Sequence, residues 1–382
     1  MTNLRRILAL TACLAACLTA GACTLGPAAM PANRMEYNLS AQRSAHEQML
    51  LNLVRVKYLE NPLFMQVGTI ASSFSFSANA GAIINASPDS HQFPLGASVT
   101  ESPTITYTPY DGQKYTQEIM SEISGPRLLM LYRTNTDLEV LLRCVVDRIG
   151  ALENQAPGRP VDPKRLAAFN RFCRQARDMQ IRRDLELVSV AAPKPADKDA
   201  DKDPPANIML VLRFRDREQA KAMADTLGAG FRPVPRPGGE LLLVYRFVDT
   251  NLMEISQSPD PHYLHLPVRL RSCREVLDYL GQGVETPPQH RSAGVAGHPA
   301  DADRKALVDP QPLVEELFRV RQSPERPANA FVSVFYRNTW FYLDDADLRS
   351  KQVFSLMITL MALQSSAPSA PAPVLTLSVG AN

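Results

Sequence analysis

Basic residues are missing from one long stretch of this chain: there is no Lys and no Arg between Glu60 and Asp111. Net charge is scarce throughout. The chain carries 41 Lys and Arg against 39 Asp and Glu, and Arg5 and Arg6 supply the excess. Past residue 22 the two signs balance (41 − 2 = 39 basic, 39 acidic). Balance argues against a nucleic-acid partner, because that interface needs clustered Lys and Arg to displace counterions from phosphates.

Catalytic motifs are missing as well. There is no Gly-x-Ser-x-Gly, no Ser-x-x-Lys and no phosphate loop ending in Gly-Lys. His46-Glu47 has no second His four residues after the first, so the helical zinc-protease pattern fails. His262 and His265 are three apart in an expected strand, hence on opposite faces. His290 and His298 fall in a Pro- and Gly-rich loop and read as ordinary surface histidines. No metal and no cofactor is expected.

A hydrophobic run long enough to span a bilayer is also absent. The apolar run Ile7–Ala20 follows Arg5-Arg6 and is too short to cross about 30 Å of hydrocarbon. It reads as a signal peptide, residues 1–22. Leu14-Ala15-Ala16-Cys17 and Ala20-Gly21-Ala22-Cys23 both resemble the bacterial lipobox, in which a Cys is lipidated and becomes the new N-terminus. Cys23 leaves the more usual leader length and is the expected lipidation site, with Cys17 as the alternative. Neither is followed by Asp, the inner-membrane retention signal of enterobacterial lipoproteins, so the outer membrane is the expected address.

What is present suggests an α+β fold. A helical N-terminal domain with a long hairpin, residues 23–191, is expected before a C-terminal domain with a mixed α/β sheet, residues 207–382. An amphipathic helix is expected over Asn38–Glu60, ended by Asn61-Pro62. From Ile70 to Ala86 even positions are mainly apolar and odd positions mainly Ser and Asn; alternation resumes over Leu95–Tyr107. Period-two patterning predicts a β-hairpin over 64–108 with one apolar and one hydroxyl-rich face. The hairpin packs on the N-terminal helices in one reading and inserts into a membrane as part of an oligomeric barrel in another.

Residues 112–190 read as helical. Thr136 to Glu139 resembles a capping box and Asp162-Pro163 a helix start. The two helices they open carry Cys144 and Cys173, which are either buried thiols or a disulfide. Residues 192–206 alternate Lys and Asp among Ala and Pro with no core-forming side chain, which predicts a disordered linker. Strands are expected at Ile208–Phe214, Leu241–Val248, Tyr263–Leu270 and Leu317–Val320. Ser272 to Glu275 is a capping box opening a short helix, and Cys273 at its start is a candidate thiolate.

Residues 331–343 predict a hairpin turning at Asn338-Thr339, followed by a helix through Gln364. The only Trp, Trp340, is expected in the C-terminal core. Asp344, Asp345 and Asp347 read as helix caps. With Trp340 and Tyr342 they also form the candidate binding patch.

Val276-Leu277-Asp278-Tyr279-Leu280-Gly281-Gln282-Gly283-Val284-Glu285, and Trp340 to Asp345 with Ser350-Lys351 and Phe354, resemble a group of uncharacterised bacterial secreted lipoproteins. Pro103 to Tyr107 is a weaker echo. The resemblance implies a lipoprotein of shared architecture and carries over no site residue. The expected function is a periplasm-facing lipoprotein of the outer membrane, working as a non-catalytic binding or assembly module. The lipid anchor makes the membrane one partner and a cell-envelope protein another; a homo-oligomer is left open. The rival readings are an oligomeric pore or secretion component inserting 64–108, and a hydrolase using Asp344, Asp345 or Cys273.

Overall fold

The computed structural model describes residues 25–80, 83–84, 91–92, 95–109, 113–134, 136–155, 162–191, 208–227, 234–235, 241–246, 266–296 and 314–364. The leader, Cys17, Cys23 and the segment 192–206 lie outside them. The fold is α+β. The chain divides into two units: residues 1–49 with 64–110, and residues 50–63 with 111–382.

The first unit holds most of helix α1 (Leu25–Lys57) and the expected hairpin. Strand β1 (Met65–Ala80) is followed by β2 (Ile83–Ile84), β3 (His91–Gln92) and β4 (Leu95–Pro109). β1 pairs antiparallel with β4 from Met65 opposite Pro109 to Ala80 opposite Leu95, with one bulge between Val67 and Thr69. Ile84 opposite His91 keeps the register that sets Phe76 opposite Val99.

In the second unit the end of α1 is pinned by Asn52, which is fully buried. Its amide donates to the Leu63 carbonyl (2.7 Å) and its oxygen accepts from the Leu63 N–H (3.0 Å). Leu59, at φ 59°, turns the chain out of the helix. Helices α2 (Gln113–Met120), α3 (Gly125–Arg133) and α4 (Leu138–Val145) follow, then β5 (Val146–Ile149) and β6 (Leu152–Glu153). Next come α5 (Pro163–Arg182), β7 (Leu185–Ala191), β8 (Ile208–Phe214), α6 (Arg217–Leu227), β9 (Val234–Pro235), β10 (Leu241–Arg246) and β11 (Leu266–Leu270). Helices α7 (Cys273–Gly281) and α8 (Pro288–Ser292) lead to β12 (Arg321–Ser323), β13 (Ala330–Tyr336), β14 (Thr339–Asp344) and α9 (Leu348–Gln364).

One sheet runs β6-β5-β11-β10-β8-β7, with β9 also on β10; only β10 and β11 are parallel. This order corrects the expected domain boundary. β7 and β8 pair along their whole length, from Leu185 opposite Phe214 to Ala191 opposite Ile208. Residues 192–206 therefore join neighbouring strands of one sheet rather than two domains. A polar stretch without apolar anchors marks an exposed connection, and composition alone does not say what it connects. Arg271 ties the same halves together from inside. Fully buried, it donates to the carbonyls of Arg143 and Cys144 (3.0 Å each) and of Gln155, and lies 4.0 Å from the Tyr279 ring centroid.

Other expectations shift by smaller amounts. Asp137, not Thr136, caps α4, accepting from the N–H groups of Glu139 and Val140. The helix stops at Val145, and Val146 and Ile149 belong to a strand, where β-branched residues fit better. β7 likewise replaces an expected helical end. Asp162 caps α5 and the Ser272–Glu275 capping box opens α7, as expected. Leu317 is buried in a turn, and the strand expected there is β12, a few residues on. The β13–β14 turn sits at Arg337-Asn338, both at positive φ (48° and 60°), one residue earlier than expected.

Candidate functional site

The candidate patch is split by the strand it sits on. Along β14, Thr339, Phe341 and Leu343 are buried, while Trp340, Tyr342 and Asp344 alternate with them and are half-exposed. Trp340 is therefore not a core anchor; Phe341 and Leu343 take that place. The Trp340 ring lies 5.3 Å from that of Phe335, which is 56% exposed, and 5.4 Å from the Arg326 guanidinium carbon. Tyr342 sits between Arg321 and Ser333 in register, and Asp344 pairs with Arg321 at 3.5 Å. The outer face of β12-β14-β13 is thus aromatic with basic edges, a composition suited to protein contacts.

The other two aspartates leave this face. Asp347 accepts from the Ser350 N–H (3.0 Å) and Oγ (2.8 Å), which caps α9. Asp345 is exposed and pairs with Lys351 at 2.7 Å. Neither is arranged with Asp344 as an acid–base pair, since each has a separate cationic or backbone partner.

The three described cysteines are poor nucleophiles. Cys144, Cys173 and Cys273 are buried and free, so the alternative of a Cys144–Cys173 disulfide is not realised. Burial pushes the Cys144 and Cys273 thiols up to about 12 and raises Cys173 as well. At Cys273 this outweighs the start of α7, whose positive end favours a thiolate.

Sequence reasoning missed a polar and aromatic cluster around Tyr58. The Tyr58 hydroxyl meets His290 Nδ1 at 2.6 Å, on a short helix where a bare loop was expected. Arg337 lies 5.0 Å from the Tyr58 ring and pairs with Glu60 at 2.8 Å. Burial pushes Tyr58 up to about 12, and hydrogen bonds from Tyr336 and Arg337 hold the Glu60 carboxyl below its usual value. A neutral Tyr and a paired Glu leave this cluster nothing to donate at neutral pH beyond the bonds it already makes. It clasps the end of α1 to α8 and the β13–β14 tip. No local motif announces it, because its residues come from three distant segments.

A cavity of about 40 Å³ lies between helices and sheet, lined only by apolar side chains, among them Leu128, Leu142, Val146, Phe172, Leu187 and Leu212. Such a space stays dry and has no polar group to orient a substrate. Among the described residues, no group of three His, Cys, Asp or Glu is placed to hold a metal ion, and no helix is long and apolar enough to cross a membrane.

The hairpin is the remaining candidate, and its geometry is more particular. Over Ser75–Ala78 its register sets like opposite like. Phe76 faces Val99, Ala78 faces Ala97 and Ala80 faces Leu95 on one side of the pleat. Ser73 faces Ser102, Ser75 faces Thr100 and Ser77 faces Ser98 on the other. Among the described residues β1 and β4 pair only with each other, so the outer edge of each strand carries unpaired backbone N–H and C=O groups. Compared with known protein families, curated proteins and solved structures, the chain matches none.

Proposed function

We propose that this protein is a lipid-anchored component of the bacterial outer membrane, facing the periplasm, that works as an assembly module rather than a catalyst. Cys23 is the proposed anchor, with Cys17 the alternative. The element through which copies join is the hairpin β1–β4. One observation carries this reading: a long two-stranded ladder with both edges open among the described residues. Two strands alone are marginally stable in water, and open edges are templates for further strands. Another copy of the same hairpin supplies a matching edge of the same length and pattern. The buried thiols, the separated aspartates and the dry cavity all speak against a reaction centre. The aromatic outer face of β12-β14-β13 is the surface offered to a protein partner in the envelope.

Native mass spectrometry of the lipidated protein, extracted in mild detergent, tests the self-joining. An integer multiple of the protomer mass is expected. A monomer at every concentration would contradict it.

A further inference from the structure

The pattern of the hairpin says more than that it joins. We infer that the joined hairpins cross the membrane as strands of a barrel, with the Ser- and Thr-rich side lining its lumen and the apolar side facing lipid. This rests on the self-joining proposed above.

The length fits. Phe74 opposite Glu101 and Ile84 opposite His91 share one register. The ten steps from Phe74 to Ile84 come to about 33 Å at about 3.3 Å per residue, and a tilt of about 40° brings that to roughly 25 Å across the bilayer. The apolar band of outer-membrane barrels is about 25 Å tall. The two titratable side chains on the apolar side, Glu101 and His91, sit at the two ends of this span rather than inside it. Between them the described positions on that side are Phe76, Ala78, Ala80, Leu95, Ala97 and Val99.

The opposite side has a different chemistry. Ser75, Ser77 and Asn79 face Thr100, Ser98 and Gly96. Apart from Gly96 these are small, uncharged hydroxyl and amide residues able to hydrogen-bond water, as a lumen requires. Ile83 opposite Gln92 is the apolar exception near the end of the span. Nothing basic interrupts either side, since Lys and Arg are absent from Glu60 to Asp111. Closure also solves the edge problem, because every outer strand edge finds a neighbour and no backbone group is left facing hydrocarbon. The lumen would pass small hydrophilic solutes with weak charge preference, since no charged ring lies along its described wall.

Two neighbouring positions at the same depth and on opposite sides of the pleat make the test. Lipidated protein reconstituted into a planar bilayer should conduct, with weak ion selectivity. Ala78→Arg places a charge against lipid near the middle of the span and should cut channel events by about tenfold or more. Ser77→Arg places the same charge in the lumen; channels should persist and shift toward anions by about threefold or more. Fluorescence of the single Trp340 checks that the rest of each variant has folded. The two proposals can fail separately. A detergent-stable oligomer that never conducts would overturn the membrane barrel and leave self-joining intact. A monomer that never conducts would overturn both. Unaltered conduction by Ala78→Arg with silence from Ser77→Arg would overturn the assignment of the two sides.

Discussion

The hairpin and the body made of residues 50–63 and 111–364 meet the same backbone requirement in different ways. In the body, strands from distant parts of the chain complete one another. β5 pairs with β11, and β7 with β8 across residues the structure does not describe. Helices then bury one another's apolar faces, with Phe169, Phe172, Leu277 and Phe354 almost fully excluded from solvent. Among the described residues, β1 and β4 pair only with each other and leave two open edges. The body is completed within the chain, whereas on the proposed reading the hairpin is completed by another copy.

The largest effects should come from the interior of the body. Phe341→Ala removes a fully buried aromatic and should cost about 3–5 kcal/mol, read from chemical denaturation. Trp340→Ala, one residue earlier and on the outer face, should cost about 1 kcal/mol, the worth of its aromatic pairing with Phe335. Equal losses would erase the distinction between the two faces of β14. Arg271→Ala strips a donor from three buried carbonyls and should cost about 3 kcal/mol or more, since an orphaned buried acceptor costs about 1–3 kcal/mol.

Cleavage within 192–206 gives a qualitative contrast. Trypsin should cut at Lys194, Lys198 or Lys202, and the fragments should stay together and melt as one, because the strands on either side pair with each other. Fragments that separate under native conditions would restore a domain boundary there. A thiol titration sharpens the same point: Cys144, Cys173 and Cys273 should all be unreactive in the native protein and all react on unfolding. A single reactive thiol after unfolding would reveal the disulfide.

What the sequence made legible was whatever one continuous segment decides. The 64–108 hairpin is written in two period-two runs, Ile70–Ala86 and Leu95–Tyr107. The caps at Asp162 and Ser272 need only three or four adjacent residues. Trp340 was misplaced because a single aromatic in an alternating strand does not say which side of the pleat meets the core. Burial of Phe341 and Leu343 settles that only once α9 is in place. The domain boundary was misplaced because pairing of β7 with β8 is a long-range fact. The Tyr58 cluster, drawn from α1, α8 and the β13–β14 turn, lies beyond any local reading for the same reason.

The smallest effects concern surface charge. Asp347→Ala should cost about 0.5–2 kcal/mol as a lost cap. Asp345→Ala should cost about 1 kcal/mol at most, as a surface pair. The Glu60 carboxyl titrates below its unfolded value of 4.5, held there by Tyr336 and Arg337. Its contribution to stability is complete above that value and lost as pH falls through the lower, folded one. Melting curves across this acid window should show the loss in the native protein and not in Glu60→Gln.

The central claim is that the hairpin is incomplete in one chain and completed by others, and amide hydrogen exchange tests it most directly. In an antiparallel pair of strands only alternate amides of each strand bond to the partner, and the rest face outward. In dilute, monomeric protein alternate amides of β1 and β4 should therefore exchange fast, while those of β5, β8 and β11 in the body are protected. In membrane-extracted, lipidated protein both sets of hairpin amides should become protected and the body should not change. Outward amides that exchange equally fast in both states would show that the hairpin edges stay open, and the account would fail.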